Sequence, residues 1–175
     1  MAGPLHRVHR AAKAPLFFGS TGENRFDDPR RDFGVLYTGE SPACAFIETF
    51  GDPLDIPFVT VAQLDARKLS LVELTAPLRV VSLVGADLRR LGADARLFAA
   101  DHAVAQAWSR ALHEHPARPD GLRYPARHDP GELALAVFDR AKRNLRARVA
   151  KHTLARPENR TLVAELLDRY GLGLL

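Results

Sequence analysis

The chain has a single cysteine, Cys44, and no long hydrophobic run among its 175 residues. One cysteine excludes an internal disulfide and a cysteine-based zinc site. Apolar runs such as Leu133–Phe138 fall far short of the roughly 20 residues that a membrane helix needs. Residues 1–10 also lack the apolar core of a secretory signal. We therefore expect a cytoplasmic protein that makes no contact with a membrane.

Motifs that bind phosphates or metals are missing as well. The sequence contains neither GxGxxG nor GxxxxGK[ST], so neither a Rossmann nor a P-loop nucleotide site has support. It has no GxSxG and no HExxH, and the pairs His6/His9 and His113/His115 do not have the spacing of a metal site. Cys44 lies among apolar neighbours in a predicted helix, where a nucleophilic role is not favoured. We expect no metal and no resident cofactor.

Positive charge is concentrated at one end of the chain. The net charge is +4, yet residues 140–175 alone carry nine Lys/Arg and three Asp/Glu, so the remainder is slightly acidic. A basic tail is typical of proteins that bind nucleic acid or an acidic protein partner, and it is equally consistent with the solvated face of a helix. Of these partners, we do not expect direct binding of nucleic acid.

Composition and pattern predict one globular domain of the α+β class. With 46% hydrophobic and 26% charged residues, the chain is long enough to bury a core without disulfides. Predicted strands and helices interleave irregularly, which favours a mixed β-sheet flanked by helices over a regular doubly wound fold. We expect a main domain over 1–145 and a basic helical extension over 146–175 that packs on it. The predicted strands cover 4–10, 33–37, 58–64, 69–74, 78–83, 122–126 and 133–138, and the predicted helices cover 43–50, 86–91, 99–115 and 158–170.

Three of these elements have strong local signals. Ser41 and Pro42 suit the N-cap and the first position of a helix that Gly51-Asp52-Pro53 would end. Residues 133–138 are apolar at every position, as in a central buried strand, and follow a hairpin turn at 128–131. The helix over 99–115 has a spacing that predicts one apolar stripe facing the core. The stripe consists of Ala100, Ala103, Val104, Ala107, Trp108 and Ala111.

Glu48 is the most informative acidic residue. It is the only carboxylate in residues 42–50, and its neighbours one turn earlier, Cys44 and Ala45, are small. Small neighbours leave space beside the carboxylate, so Glu48 is either partly buried with a partner or faces a cleft. The alternative is a solvent-exposed position on the one polar stripe of the helix.

Two arginines and a tyrosine are further candidates. Arg25 lies in a polar, turn-rich loop over 19–32, from which a guanidinium can bind a phosphate or carboxylate. Alternatively, it is a surface residue paired with an aspartate of that loop. Arg7 lies within a predicted strand, where the alternative is an edge strand with Arg7 in water. Tyr37 ends an apolar strand, where the alternative is a core aromatic residue.

Five short blocks of the sequence occur in an informative order. They are Leu5-His-Arg-Val8, Arg25-Phe-Asp-Asp-Pro29, Gly34-Val-Leu-Tyr37, Ser41-Pro-Ala-Cys-Ala-Phe-Ile-Glu48 and Gly121-Leu-Arg-Tyr-Pro-Ala-Arg-His-Asp129. In this order and spacing they resemble the RES-domain family, named for its Arg, Glu and Ser. The resemblance extends over about residues 5–140.

The resemblance implies a fold like that of the ADP-ribosyltransferases and an NAD-degrading toxin of a bacterial toxin–antitoxin pair. NAD+ is then consumed as a substrate, the expected protein partner is an antitoxin, and the formation of a homo-oligomer is left open. The family's serine corresponds to Ala126, so a hydroxyl that could hold ribose or phosphate is missing here. The family's functional residues correspond to Arg7, Arg25, Tyr37 and Glu48 as the catalytic group, and to Phe26, Ala126 and Arg127 beside the substrate.

Three functions are therefore open. The first is cleavage of the nicotinamide–ribose bond by hydrolysis or phosphorolysis, with Glu48 stabilising an oxocarbenium-like cation. Arg7 and Arg25 would clamp the pyrophosphate or ribose, and Tyr37 would stack on nicotinamide. The second is transfer of ADP-ribose to a protein or nucleic-acid target. The third, suggested by Ala126, is a catalytically weak binding module that uses the basic tail.

Overall fold

A computed structural model describes residues 3–52, 57–99 and 101–175. The strands are β1 Leu5–Arg10, β2 Val35–Gly39, β3 Phe58–Val59, β4 Arg67–Leu74, β5 Val80–Ser82, β6 Gly121–Pro125, β7 Leu133–Phe138, β8 Leu145–Arg148 and β9 Gly173–Leu174. The helices are α1 Pro42–Phe50, α2 Val61–Asp65, α3 Gly85–Arg90, α4 Arg96–Ala99, α5 His102–Glu114 and α6 Arg160–Arg169, with 3-10 turns at Asp139–Asn144 and Pro157–Asn159. Seven strands form one mixed sheet in the order β5-β6-β7-β2-β1-β4-β8, and β3 pairs with β9. The predicted α+β fold with a mixed sheet is confirmed.

The sheet is split near its centre, where β1 meets β2. β1 pairs with β4 along its whole length, from Leu5 to Arg10, and β2 pairs with β7 from Val35 to Gly39. Within the described residues, β1 and β2 are joined only by the pair His6–Gly39. The two strands therefore diverge beyond that pair, and we call this divergence the seam.

Helix α1 packs across the seam, where it contacts β1, β2 and β7. Its N-cap is Ser41, whose hydroxyl accepts a hydrogen bond from the Cys44 amide at 2.9 Å, and Pro42 occupies the first turn, as predicted. Gly39 permits the close approach, because a Cβ there would lie 2.7 Å from the Cβ of Cys44. The capped helix thus holds Glu48, near its C-terminal end, beside the seam.

Buried side chains cover both faces of the main sheet. In β7, Ala136 and Phe138 belong to one hydrophobic cluster, whereas Leu135 and Val137 belong to another on the opposite face. This confirms the prediction of a central strand buried on both sides.

The basic tail is folded into the body of the protein. Val163, Leu166 and Leu167 of α6 pack with Phe46 of α1 in a third hydrophobic cluster. β8, which had no strong signal in the sequence, pairs with β4 at the edge of the main sheet. The predicted boundary between residues 145 and 146 therefore falls inside a strand of that sheet.

The predicted strand over 58–64 is wrong for most of its length. Only Phe58–Val59 is extended, and Thr60 begins α2 as its N-cap. The Thr60 hydroxyl accepts a hydrogen bond from the Gln63 amide at 3.1 Å, and the Gln63 side chain accepts one from the Thr60 amide at 2.8 Å. This reciprocal capping box favours a helix and outweighs the apolar run that suggested a strand.

The predicted helix over 99–115 corresponds to α5, which begins only after the N-cap Asp101, and its first predicted residue instead ends the separate helix α4. Ala100, which the predicted stripe included, lies outside the described residues, as does Pro53 of the predicted stop after α1. None of the helices in the described ranges is long and apolar enough to cross a membrane.

Of the described residues in the predicted apolar stripe of α5, only Trp108 packs on the core. Val104 is 51% exposed. The buried face instead carries polar groups, because they bond to the loop over 19–32 that lies beneath the helix. Ser109 Oγ donates to the Phe26 carbonyl at 2.7 Å, and Gln106 Nε2 donates to the Gly22 carbonyl at 2.8 Å. The stripe residues Ala103, Ala107 and Ala111 are likewise exposed, and Trp108 is half-buried.

Candidate functional site

A cavity of about 300 Å³ opens at the seam. Residues of β1, β2, α1 and the loop that follows β6 line it. The structure brings five of the seven predicted site residues to this one cavity. They are Arg7, Arg25, Tyr37, Glu48 and Arg127.

Arg7 is held at the seam by backbone carbonyls. Its Nη1 donates to the carbonyl oxygens of Pro15 at 2.8 Å and Phe17 at 2.9 Å. Burial lowers the pKa of Arg7 to about 10, so its guanidinium stays charged at neutral pH. The alternative of an edge strand is wrong, because β1 lies inside the sheet. The charge of Arg7 is balanced by neutral carbonyl dipoles, which leaves it available to an anionic ligand.

Two hydrogen bonds fix the hydroxyl of Tyr37. It donates to Asp27 Oδ1 at 2.9 Å and accepts from the Phe26 amide at 3.0 Å. Asp27 is fully buried, and its Oδ2 accepts from Thr21 Oγ1 at 3.1 Å and from Asn24 Nδ2 at 2.9 Å. Burial, together with a neighbouring tyrosine and carboxylate, raises the pKa of Tyr37 well above its ordinary value. Tyr37 and Asp27 therefore tie the loop over 21–27 to β2.

Arg25 is carried to the cavity by this tethered loop. Its Nη1 lies 3.5 Å from the Leu97 carbonyl oxygen. Burial and the positive charge of Arg127 lower the pKa of Arg25, while the negative charge of Glu48 acts in the opposite direction. The guanidinium groups of Arg25 and Arg127 and the carboxylate of Glu48 are thus close enough to interact electrostatically at the cavity.

The loop aspartates do not neutralise Arg25, contrary to the alternative considered from the sequence. Asp27 bonds to Tyr37, and Asp28, which is fully buried, pairs with Arg110 of α5 at 2.8 Å. Hydrogen bonds from the Asp32 amide and from Arg110 outweigh burial and lower the pKa of Asp28. These aspartates hold the loop in place and thereby position Arg25.

Glu48 reaches across the cavity to the backbone of the loop after β6. Its Oε1 accepts a hydrogen bond from the Arg127 amide at 2.7 Å. The Arg127 side chain turns elsewhere, since its Nη1 pairs with Asp52 at 2.7 Å. Glu48 is exposed and also faces the cleft, so both positions considered for it apply. Within the described residues, Oε2 of Glu48 makes no hydrogen bond and can accept one from a ligand.

Phe26 and Ala126, predicted to contact the substrate, do not line this cavity. The Phe26 side chain is fully buried, and its ring packs on that of Tyr124 with 4.7 Å between centroids. Phe26 therefore supports the cavity from within the core, and its side chain offers a ligand no surface. Ala126 is 2% exposed and reaches only the neighbouring cavity.

That second cavity has a volume of about 1040 Å³ and shares part of its lining with the first. Arg25 and Arg127 lie at the boundary between the two. A ligand longer than the first cavity can therefore extend into the second while it stays in contact with Arg25.

Sequence reasoning missed Asp27 and Tyr124. Both lie inside the quoted blocks, Asp27 two residues after Arg25 and Tyr124 two residues before Ala126. Asp27 resembled one more polar loop residue, and its tie to Tyr37 is visible only in three dimensions. Tyr124 resembled a core aromatic of a strand, because its place beside Glu48 depends on the pairing of β6 with β7.

The arrangement suits one kind of ligand. Two guanidinium groups can bind an anion, an aromatic ring can stack on a flat heterocycle, and a carboxylate can face a group that gains positive charge. Within the described residues, no cluster of three or more His, Cys, Asp or Glu side chains could hold a metal ion.

Comparisons with known proteins agree with the resemblance in the five blocks. A family model described as "RES domain" matches residues 4–159. The protein "Probable toxin y4kH" of Sinorhizobium fredii (strain NBRC 101917 / NGR234) is 33% identical over 119 residues, which cover 67% of this chain and 90% of the relative. A chain in the crystal structure of the M. tuberculosis MbcT-MbcA toxin-antitoxin complex has the same fold, with a TM-score of 0.70 and 17% identity over 96% of this chain and 90% of that one.

Proposed function

The chain belongs to the RES-domain family, and on that premise we propose that it is a toxin that cleaves the nicotinamide–ribose bond of NAD+. One observation carries the proposal: Arg7, Arg25, Tyr37 and Glu48, which lie on two strands, a helix and a loop, meet in one cavity at the seam. Water or phosphate is the acceptor, so the reaction is hydrolysis or phosphorolysis. A relative named as a probable toxin supports the biological role.

Glu48 is the residue that faces the reacting sugar. Loss of nicotinamide leaves positive charge on the ribose carbon and ring oxygen, and a nearby carboxylate stabilises that cation. A 2.7 Å hydrogen bond from the Arg127 amide to Oε1 fixes the carboxylate. Its other oxygen, Oε2, can then accept a hydrogen bond from a ribose hydroxyl. A carboxylate held in advance does not have to reorganise as the charge develops.

Arg7 and Arg25 bind the anionic part of the substrate. A pyrophosphate accepts hydrogen bonds from guanidinium groups, often in pairs. Arg7 is anchored by carbonyls and Arg25 by a loop that Asp27 ties down, so both cations are positioned before the substrate arrives. The Tyr37 ring, held at its hydroxyl, offers a stacking surface for nicotinamide.

The two cavities divide the dinucleotide between them. The first, about 300 Å³, takes the nicotinamide ribose beside Glu48 and Tyr37 and the pyrophosphate beside Arg7, and the second, about 1040 Å³, takes the adenosine beyond Arg25. Ala126 touches only the second cavity. The lack of a hydroxyl at position 126 therefore affects binding of the half of NAD+ that is remote from nicotinamide. It does not affect cleavage of the nicotinamide–ribose bond.

A toxin that consumes NAD+ needs an inhibitor in the cell that makes it. We propose that this inhibitor is an antitoxin protein, since the structural neighbour comes from a toxin-antitoxin complex. A partner segment that enters the cavity should carry a carboxylate, because Arg7 and Arg25 favour an anion there.

The deciding experiment is incubation of the purified protein with NAD+, with and without phosphate, followed by separation of the products. Free ADP-ribose indicates hydrolysis, and its phosphorylated form indicates phosphorolysis. ADP-ribose attached to a protein or nucleic acid in a cell extract would instead indicate an ADP-ribosyltransferase. If the folded protein consumes no NAD+, the proposed enzymatic activity is wrong, and a binding module is the function that remains.

A further inference from the structure

Tyr124 carries a hydroxyl that no other described residue engages. The residue is 6% exposed, and its ring is fixed against Phe26 with 4.7 Å between centroids. Over residues 3–52, 57–99 and 101–175, no hydrogen bond involves its hydroxyl, whereas that of Tyr37 has two and that of Tyr170 donates to Asp129 at 3.1 Å. Tyr124 is thus the one tyrosine whose hydroxyl the fold does not use.

This hydroxyl is open to the first cavity. Tyr124 lines it together with Arg25 and Glu48. In the part of the chain that the structure describes, the fully buried polar side-chain atoms that lack a partner are Thr38 Oγ1 and Arg140 Nε. The Tyr124 oxygen also lacks a partner but is not among these sealed atoms, so it retains access to the cavity.

A nearly buried hydroxyl that no described residue engages adds no protein hydrogen bond to the stability of the fold. Phenylalanine would fill the same space against Phe26 and keep the ring contact. Burial and the negative charge of Glu48 raise the pKa of Tyr124 well above its ordinary value, so the hydroxyl is protonated and can donate. A donor beside the carboxylate of Glu48 complements a ligand group that both donates and accepts.

We propose that Tyr124 is a substrate-binding residue whose hydroxyl donates a hydrogen bond to a ribose hydroxyl that in turn donates to Glu48. The proposal rests on the proposed function and refines it. A sugar hydroxyl has one proton and two lone pairs, so it can donate to Oε2 of Glu48 and accept from Tyr124 at once. This pairing fixes the ribose between an acceptor and a donor at the point where positive charge develops.

The test compares Tyr124→Phe with Tyr37→Phe and the wild-type protein. Thermal unfolding without ligand, binding of ADP-ribose by calorimetry, and initial rates with NAD+ are measured for all three. Tyr124→Phe should keep or raise the melting temperature and weaken ADP-ribose binding by about fivefold to tenfold, the cost of one hydrogen bond. Tyr37→Phe should lower the melting temperature, since it removes the bond to Asp27.

Two results would overturn the inference. One is ADP-ribose binding by Tyr124→Phe at wild-type strength in a preparation whose wild-type protein is active. The other is a fall in melting temperature as large as that of Tyr37→Phe, which would show that the hydroxyl serves the fold. A wild-type protein that neither consumes NAD+ nor binds ADP-ribose would overturn the proposed function, and the inference with it.

Discussion

Arg169 of α6 donates a hydrogen bond to Glu132 at 2.6 Å, and this contact links the tail to the site. Glu132 also accepts a hydrogen bond from Ser41, the N-cap of the helix that carries Glu48. Through Glu132, the last helix of the chain is therefore linked to the N-cap of α1. Residues far from the cavity therefore help to position the Glu48 carboxylate at the seam.

Arg169→Ala should lower NAD+ turnover by about tenfold, because a small displacement of a catalytic group is costly. Arg169 is half exposed and lines neither cavity, so loss of its ion pairs should lower the melting temperature only slightly. Steady-state kinetics and thermal unfolding check this. Arg160→Ala, an exposed arginine on the same helix, is the matched control, and equal turnover in both variants would contradict the link.

Glu48→Gln should reduce NAD+ consumption by about 100-fold or more and leave the fold intact. Glutamine keeps the volume, and its carbonyl oxygen can still accept from the Arg127 amide, but the charge that opposes the cation is lost. Product formation over hours, with circular dichroism as the folding check, measures the effect. Asp52→Asn, which neutralises another carboxylate of the cavity, should act far more weakly. Near-wild-type turnover in a folded Glu48→Gln protein would refute the role.

Arg7→Ala and Arg25→Ala should weaken binding of ADP-ribose more than they lower stability. Each removes a charge-assisted contact to the ligand, with an expected loss of about tenfold or more in affinity. Calorimetry and thermal unfolding separate the two effects. Arg110→Ala is the opposite control, because Arg110 pairs with the fully buried Asp28 and its loss should destabilise the fold. Unchanged affinity with a large drop in melting temperature would make Arg7 and Arg25 structural instead.

Stability should fall below about pH 6.5, because burial lowers the pKa of His9. His9 is buried and bonded to Ser70 at 2.8 Å and to the Arg10 carbonyl at 3.0 Å, an arrangement that the neutral ring satisfies. The unfolded chain binds a proton at a higher pH than the folded one, so stability is full above the unfolded pKa and declines as the pH falls towards the folded pKa. Urea unfolding at about pH 7.5 and about pH 5.5 should show this loss, and His9→Gln should show a smaller difference between the two pH values. An equal difference would assign the loss to other groups, such as His6 and His113, whose pKa values are also lowered by burial.

Deletion of the chain after Lys151 should yield an insoluble protein. The deletion removes Val163, Leu166 and Leu167 from the cluster around Phe46, and each large buried side chain contributes on the order of 2 kcal/mol. Soluble expression and thermal unfolding measure the outcome. If the truncated protein stays folded and active but no longer binds an antitoxin, the tail is a docking surface, as its charge alone suggested.

Local signals predicted the elements that position Glu48. Ser41 and Pro42 defined the start of α1, and the five blocks named residues that the fold brings to one cavity. The buried face of α5 could not be predicted from apolar spacing, because Ser109 and Gln106 are buried for their hydrogen bonds to the loop beneath. The edge strand β8 is short and rich in arginine, so only its pairing with β4 identifies it.

At the site, too, the sequence could not predict which way a side chain points, and Ala126 is an example. The family resemblance placed it beside the substrate, yet its orientation depends on how β6 pairs and where the two cavities meet. The hydroxyl of Tyr124 had no signal of its own, since a tyrosine in a strand is ordinarily part of the core.

Among the residues that the structure describes, His6–Gly39 is the one backbone pair that joins β1 to β2. On each side of it, the strands are fully paired with their own neighbours, so the sheet consists of two hydrogen-bonded halves. Side-chain packing holds the halves together, because Leu5 of one half meets Leu36 of the other in a buried cluster. Helix α1 touches both halves and carries Glu48, so a molecule that separated the halves would displace the carboxylate without touching it.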